Sequence, residues 1–127
     1  MALVPGDHGS TFGGNMLTTA ASYAGTKFLI DNDIPGQVKD MEPYLLGALN
    51  DLKGRFSFVT EVRGKGLLAA MDFDSDISGQ VLTAANESGI LLNGPRPHTI
   101  RFMPPLNITR EEIDEGVDRL GTALATI

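Results

Sequence analysis

Phe56-Ser57-Phe58-Val59-Thr60-Glu61-Val62-Arg63-Gly64-Lys65-Gly66-Leu67-Leu68-Ala69-Ala70-Met71-Asp72-Phe73 is the stretch on which the architecture turns. Phe56 to Val62 is rich in aromatic and β-branched residues and Leu67 to Phe73 is nearly all apolar, so both read as strands. Arg63-Gly64-Lys65-Gly66 between them supplies the flexible turn of an antiparallel hairpin. Helical patterns flank the hairpin. Upstream, Asn15 to about Asp33 keeps Leu17, Ala20, Ala21, Ala24 and Phe28 on one face. A second pattern runs from Gly36 to Leu52 with Val38, Met41, Leu45, Leu49 and Leu52 on one stripe; Pro43 should kink it or open a fresh first turn.

Downstream, Ile77 to Ser88 reads as a shorter helix with Gly89 as its C-terminal stop. Short strands are expected at Ile90 to Leu92 and Thr99 to Phe102, flanking the loop Asn93-Gly94-Pro95-Arg96-Pro97-His98. Thr109 with Glu112 forms a capping box that opens a last helix, whose face repeats Ile113, Val117, Leu120 and Leu124. These elements sum to an α+β domain, a small sheet covered by helices and preceded by a long helix.

The 127 residues are one domain's worth of chain, enough for a real core. With 16 acidic against 10 basic residues and a formal charge of −6, a general binder of nucleic acid or anionic membrane is not expected. Cysteine is absent and the two histidines are far apart in sequence, so neither a disulfide nor a metal cluster is expected. No apolar run approaches the ~20 residues of a membrane span. The first residues carry no secretory pattern, and a cytoplasmic location is the resulting expectation.

Before the first helix stands Pro5-Gly6-Asp7-His8-Gly9-Ser10-Thr11-Phe12-Gly13-Gly14-Asn15, which concentrates two hydroxyls and several glycines at a helix start. Such a loop can turn N–H groups and hydroxyls toward a phosphate, and it can equally be a plain turn with a cap.

His8-Gly9-Ser10-Thr11-Phe12-Gly13-Gly14-Asn15 resembles the segment that follows the catalytic-lysine region of class III pyridoxal-phosphate aminotransferases. Val62-Arg63-Gly64-Lys65-Gly66-Leu67-Leu68, Gly89-Ile90-Leu91-Leu92-Asn93 and Ile100-Arg101-Phe102-Met103-Pro104-Pro105-Leu106 resemble the family's later motifs, in the family's order. The run from Ile108 to Leu120 is similar to its closing helix. The resemblance covers nearly the whole chain and only the family's C-terminal part. It implies a small, mainly antiparallel sheet of three or four strands, as in the C-terminal small domain of fold-type I enzymes that use this cofactor. Residues 1–14 would then be the Gly-rich loop, 15–34 a linking helix and 35–127 the small domain.

The resemblance also implies chemistry. The complete enzyme would move an amino group reversibly between an N-acylated basic amino acid and 2-oxoglutarate, as in the acetylornithine branch of arginine biosynthesis, using pyridoxal 5′-phosphate in a homodimer. Thr11, with Ser10 in support, would hold the phosphate of the cofactor in the partner subunit, and Arg101 would bind the substrate α-carboxylate. The lysine that bonds the cofactor and the aspartate that partners its ring nitrogen both precede this part of the family sequence. No catalytic residue is therefore assigned within the chain, no cofactor is expected on it alone, and a truncated reading frame or an expressed fragment is expected. Lys27, Lys39, Lys53 and Lys65 read as structural or solubilising.

Each site residue has a plainer alternative. Ser10 or Thr11 reads equally as a local cap, Arg101 as the partner of a nearby acid or simply solvated, and Gly64-Lys65-Gly66 as a turn rather than an anion site. Asn15 reads as the helix cap, His8 and His98 as surface loop residues, and Glu111, Glu112, Asp114, Glu115 and Asp118 as a solvated helix face beginning at its positive end. Two rival functions stand beside the enzyme: an oligomerisation or binding module, and a generic phosphate-binding domain built on the Gly-rich loop.

Overall fold

A computed structural model describes residue 4 and residues 6–127. Met1, Ala2, Leu3 and Pro5, which belong to the expected loop 1–14, lie outside the described residues. The chain divides into two compact units, one ending at Ile34 and the other running Pro35–Ile127.

The first unit contains α1, Met16–Asp31. Asn15 caps it: its side-chain oxygen accepts from the N–H groups of Leu17 at 3.1 Å and Thr18 at 3.0 Å. That cap holds the helix start although Met16, not a proline, takes the first helical position. No residue of α1 is buried, and the apolar face expected from its sequence is open, with Leu17 81% and Phe28 54% exposed.

Helix α2 spans Ile34–Arg55, all but its first residue in the second unit, with Pro43 inside it. No fresh first turn begins there; the helix runs through, although proline has no N–H to offer the Lys39 carbonyl. The strands are β1 Val59–Lys65, β2 Leu68–Phe73, β3 Asn93–Arg96 and β4 Thr99–Phe102; α3 spans Ser78–Glu87 and α4 Arg110–Leu124. All neighbouring strands pair antiparallel in the order β1-β2-β4-β3, so the sheet is four-stranded and the domain is α+β. Strand β4 lies between β2 and β3, which α3 connects.

The first hairpin is shifted from its expected position. Helix α2 continues to Arg55, and Phe56 to Phe58 form a turn whose rings pack against each other and on Phe73, at centroid distances of 5.7 and 6.2 Å. The tight turn is Gly66-Leu67, closed by Lys65 opposite Leu68. Gly66, at φ +58°, occupies the first central position, which type II′ turns reserve for glycine, and Leu67 after it is not at positive φ. Arg63, Gly64 and Lys65 are therefore strand residues. Gly64 is needed for close approach, since a Cβ there would stand 2.6 Å from the Leu68 carbonyl oxygen.

The second hairpin is shifted as well. Ile90 to Leu92 is not strand; β3 begins at Asn93 and contains Pro95, a residue tolerated on a sheet edge because it has no N–H to donate. A register shift between Val59 and Glu61 lets Val59 and Val62 both point to the core. That core joins Leu45, Leu49 and Leu52 of α2 to Met71, Phe73 and Ile100 of the sheet, Val81 of α3, and Ile113, Leu120 and Leu124 of α4. Gly89, at φ +79°, ends α3 as expected. The capping box of α4 is complete: Glu112 N–H donates to the Thr109 hydroxyl at 3.2 Å, and Thr109 N–H donates to the Glu112 carboxylate at 2.8 Å.

Candidate functional site

The Gly-rich loop holds its own shape through local bonds. Asp7 N–H donates to the Val4 carbonyl at 3.1 Å, and Val4 N–H donates to the Asp7 carboxylate at 3.0 Å. Gly6 and Gly14 take φ of +101° and +73°. A Cβ on Gly13 would stand 3.0 Å from both Cβ and Oγ of Ser10, so this glycine makes room for the serine. The Asn15 amide donates to the Phe12 carbonyl at 2.6 Å, tying the loop to its cap. Ser10 and Thr11 are exposed, and neither hydroxyl has a hydrogen-bond partner among the described residues; the capping role falls to Asn15 alone. The loop thus offers neutral donors suited to phosphate oxygens, with no lysine or arginine between Gly6 and Asn15. With neutral donors alone, the loop would need a cation from other residues to complete a phosphate site.

Arg101 lies on β4 opposite Ala70 of β2 and Asn93 of β3. Residues directly opposite share a face, and alternate residues of a strand do too, so Arg63, Ala70 and Arg101 form one row and Glu61, Asp72 and Thr99 the next. Both rows lie on the face opposite the core residues Met71 and Ile100. Arg101 is half-buried, and its Nε is enclosed with no hydrogen-bond partner among the described residues. None of the ion pairs among the described residues includes it. The plainer reading, pairing with an acid of its own domain, is not what the structure shows. A partly desolvated guanidinium with an unused donor suits a carboxylate arriving from outside.

Arg63 is committed by contrast. It grips Asp72 with both terminal nitrogens, Nη1 to Oδ2 and Nη2 to Oδ1 at 3.2 Å, and reaches Glu61 at 3.2 Å. The Thr99 hydroxyl donates to Asp72 Oδ1 at 2.7 Å. Burial pushes the Asp72 carboxyl up, but the bonds from Arg63 and Thr99 and the Arg63 charge outweigh it, and the net shift is downward. This network was not foreseen from the sequence. Its signal is a lone acid in the apolar run Leu67 to Phe73, and spreading the turn over Arg63-Gly64-Lys65-Gly66 hides the register that brings the two together.

Other candidates resolve plainly. Lys65 Nζ and Gly66 N–H both donate to Glu42, at 3.2 and 2.7 Å, so the donors near the hairpin turn already serve an anion of the domain itself. Lys27, Lys39, Lys53 and Lys65 are exposed, and Lys27 pairs with Asp31 at 2.7 Å. His8 is exposed, and His98, 44% exposed, has Nδ1 3.9 Å from Asp76. Among the described residues no group of acids, histidines or cysteines could hold a metal, and no helix is long and apolar enough to cross a membrane.

Comparison with known proteins agrees with the motifs. The family profile described as "Aminotransferase class-III" matches residues 1–124. The acetylornithine aminotransferase of Methanothermobacter thermautotrophicus is 41% identical over 127 residues, covering 100% of this chain and 32% of that protein. Among solved structures, acetylornithine aminotransferase from Elizabethkingia anophelis superposes with a TM-score of 0.87 at 30% identity, over 98% of this chain and 34% of that one. Ornithine aminotransferase from Toxoplasma gondii gives 0.84 at 34% identity, over 98% and 30%. The chain spans about a third of the length of the curated relatives it matches.

Proposed function

The chain belongs to the class-III aminotransferases, and from that premise we propose that it is the C-terminal part of a pyridoxal-phosphate enzyme that transfers an amino group between an acetylornithine-type donor and 2-oxoglutarate. The observation that carries the reading is Arg101, held on the open sheet face with its Nε enclosed and unpaired. Its planar fork would grip the α-carboxylate of the amino or oxo acid and orient the substrate. Thr11, through hydroxyl and N–H, and Ser10 in support, would hold the phosphate of the cofactor in the partner subunit. When bound, pyridoxal phosphate supplies the electron-withdrawing ring that makes amino exchange possible.

The 127 residues provide binding and orientation only. All four lysines are exposed, which supports the reading that none of them bonds the cofactor in an enclosed site and that the chain by itself would not transaminate. Pyridoxal phosphate added to the purified chain, followed by borohydride reduction and peptide mapping, tests this. Scattered, substoichiometric labelling of exposed lysines is expected; stoichiometric labelling at one lysine would overturn it.

A second reading, an oligomerisation module, is favoured by one observation: α1 buries none of its residues. Sedimentation of the chain with Leu17→Glu and Phe28→Glu separates the two. A dimer abolished by these substitutions supports self-association through α1, and a monomer at all concentrations removes it.

A further inference from the structure

We propose that Arg63 is a positioning residue whose task is to keep Asp72 off Arg101, so that Arg101 stays free for a substrate carboxylate. The inference rests on the reading of Arg101 as the carboxylate clamp. Register places Asp72 between two arginines. Directly opposite Asp72 are Glu61 on β1 and Thr99 on β4; two residues along, opposite Ala70, are Arg63 and Arg101. Both arginines are thus diagonal neighbours of the same carboxylate on the same face, a separation that long side chains span. The structure resolves the contest one way. Arg63 takes both carboxylate oxygens in a fork, Thr99 occupies Oδ1 as well, and Arg101 is left without an acid.

Asp72 is chemically the same group as the ligand proposed for Arg101. Its side chain is 17% exposed, so an unclaimed Asp72 would be a partly desolvated charge in search of a cation. With Arg63 gone, Arg101 is the remaining arginine on that face, diagonal to Asp72 by register; His98, whose charge already acts on Asp72, is present in wild type and variant alike. The acid would then compete with every incoming carboxylate at fixed, high effective concentration. Arg63 therefore acts on the substrate through two other side chains and without touching it.

The test uses the 15N-labelled chain, the Arg101 Nε–Hε resonance identified by its loss in Arg101→Lys, and 2-oxoglutarate as probe. Without ligand, Arg63→Gln is expected to shift that resonance, and adding Asp72→Asn in the same chain is expected to return it. With ligand, Arg63→Gln should weaken 2-oxoglutarate binding by roughly tenfold, the scale of one charge-assisted pair, and the double variant should restore it. A purely structural role for Arg63 predicts the opposite, namely that losing Asp72 as well makes matters no better. An unshifted resonance in Arg63→Gln, or a shift that Asp72→Asn does not reverse, overturns the proposal. Should Arg63→Gln not fold, Arg63→Lys, whose point charge cannot fork, must show a smaller shift of the same sign that Asp72→Asn again reverses. A wild-type resonance indifferent to 2-oxoglutarate while the ligand-free shifts behave as stated would remove the clamp reading and leave the Arg63–Asp72 partition standing.

Discussion

A guanidinium nitrogen enclosed without an acceptor costs a fold something, and Arg101 carries that cost on the face away from the core. Arg101→Met is expected to leave stability unchanged or raise it by up to about 1 kcal/mol, because it removes an unsatisfied donor. The same change should abolish the 2-oxoglutarate response, and urea unfolding together with that titration checks both. Asp72 behaves in the reverse sense. Its folded pKa is lowered, so the stability it contributes is present above the ordinary aspartate range near ~3.9 and is lost as pH falls through the folded value. The gap in urea midpoint between wild type and Asp72→Asn should accordingly be full at neutral pH and close on acidification. As an arginine just before Pro104-Pro105, Arg101 stands out locally in the sequence, and the structure leaves it half-buried with Nε unpaired. The Arg63–Asp72 pair does not stand out, because which residues face each other depends on a register that no single segment encodes.

At the scale of elements, local chemistry was the better guide where it was unambiguous. Thr109 and Glu112 announce a helix start and form both bonds of the box. Asn15 likewise caps α1. The first hairpin was ambiguous because two glycines compete for its turn. Gly66 won through its positive φ, and Gly64 serves the close approach of β1 to β2 instead. Gly66→Ala is expected to destabilise by about 1–2 kcal/mol from the left-handed backbone alone. Its new Cβ would also stand 2.9 Å from Val38 Cγ1, which adds to the loss. Gly79→Ala, on the open side of α3, should stabilise slightly and serves as the control in a thermal melt.

Across the whole molecule, periodicity identifies the helices and two of the four strands closely; the small antiparallel sheet is implied by likeness of motifs, and the order of its strands is given by neither. Strand order depends on contacts far apart in sequence, and hydrophobic spacing carries no record of them. That order has a consequence in time. The Arg63–Asp72 pair closes a span of nine residues within one hairpin, whereas Thr99 meets Asp72 across 27. Short loops close at lower entropic cost, so β1 is expected to zip to β2 before β4 arrives. Arg63→Gln should therefore slow refolding, while Thr99→Val should chiefly hasten unfolding, as stopped-flow chevrons would record. In that order the aspartate would already be paired when the second guanidinium comes into range, and in the finished sheet the fork from Arg63 and the Thr99 hydroxyl keep it so.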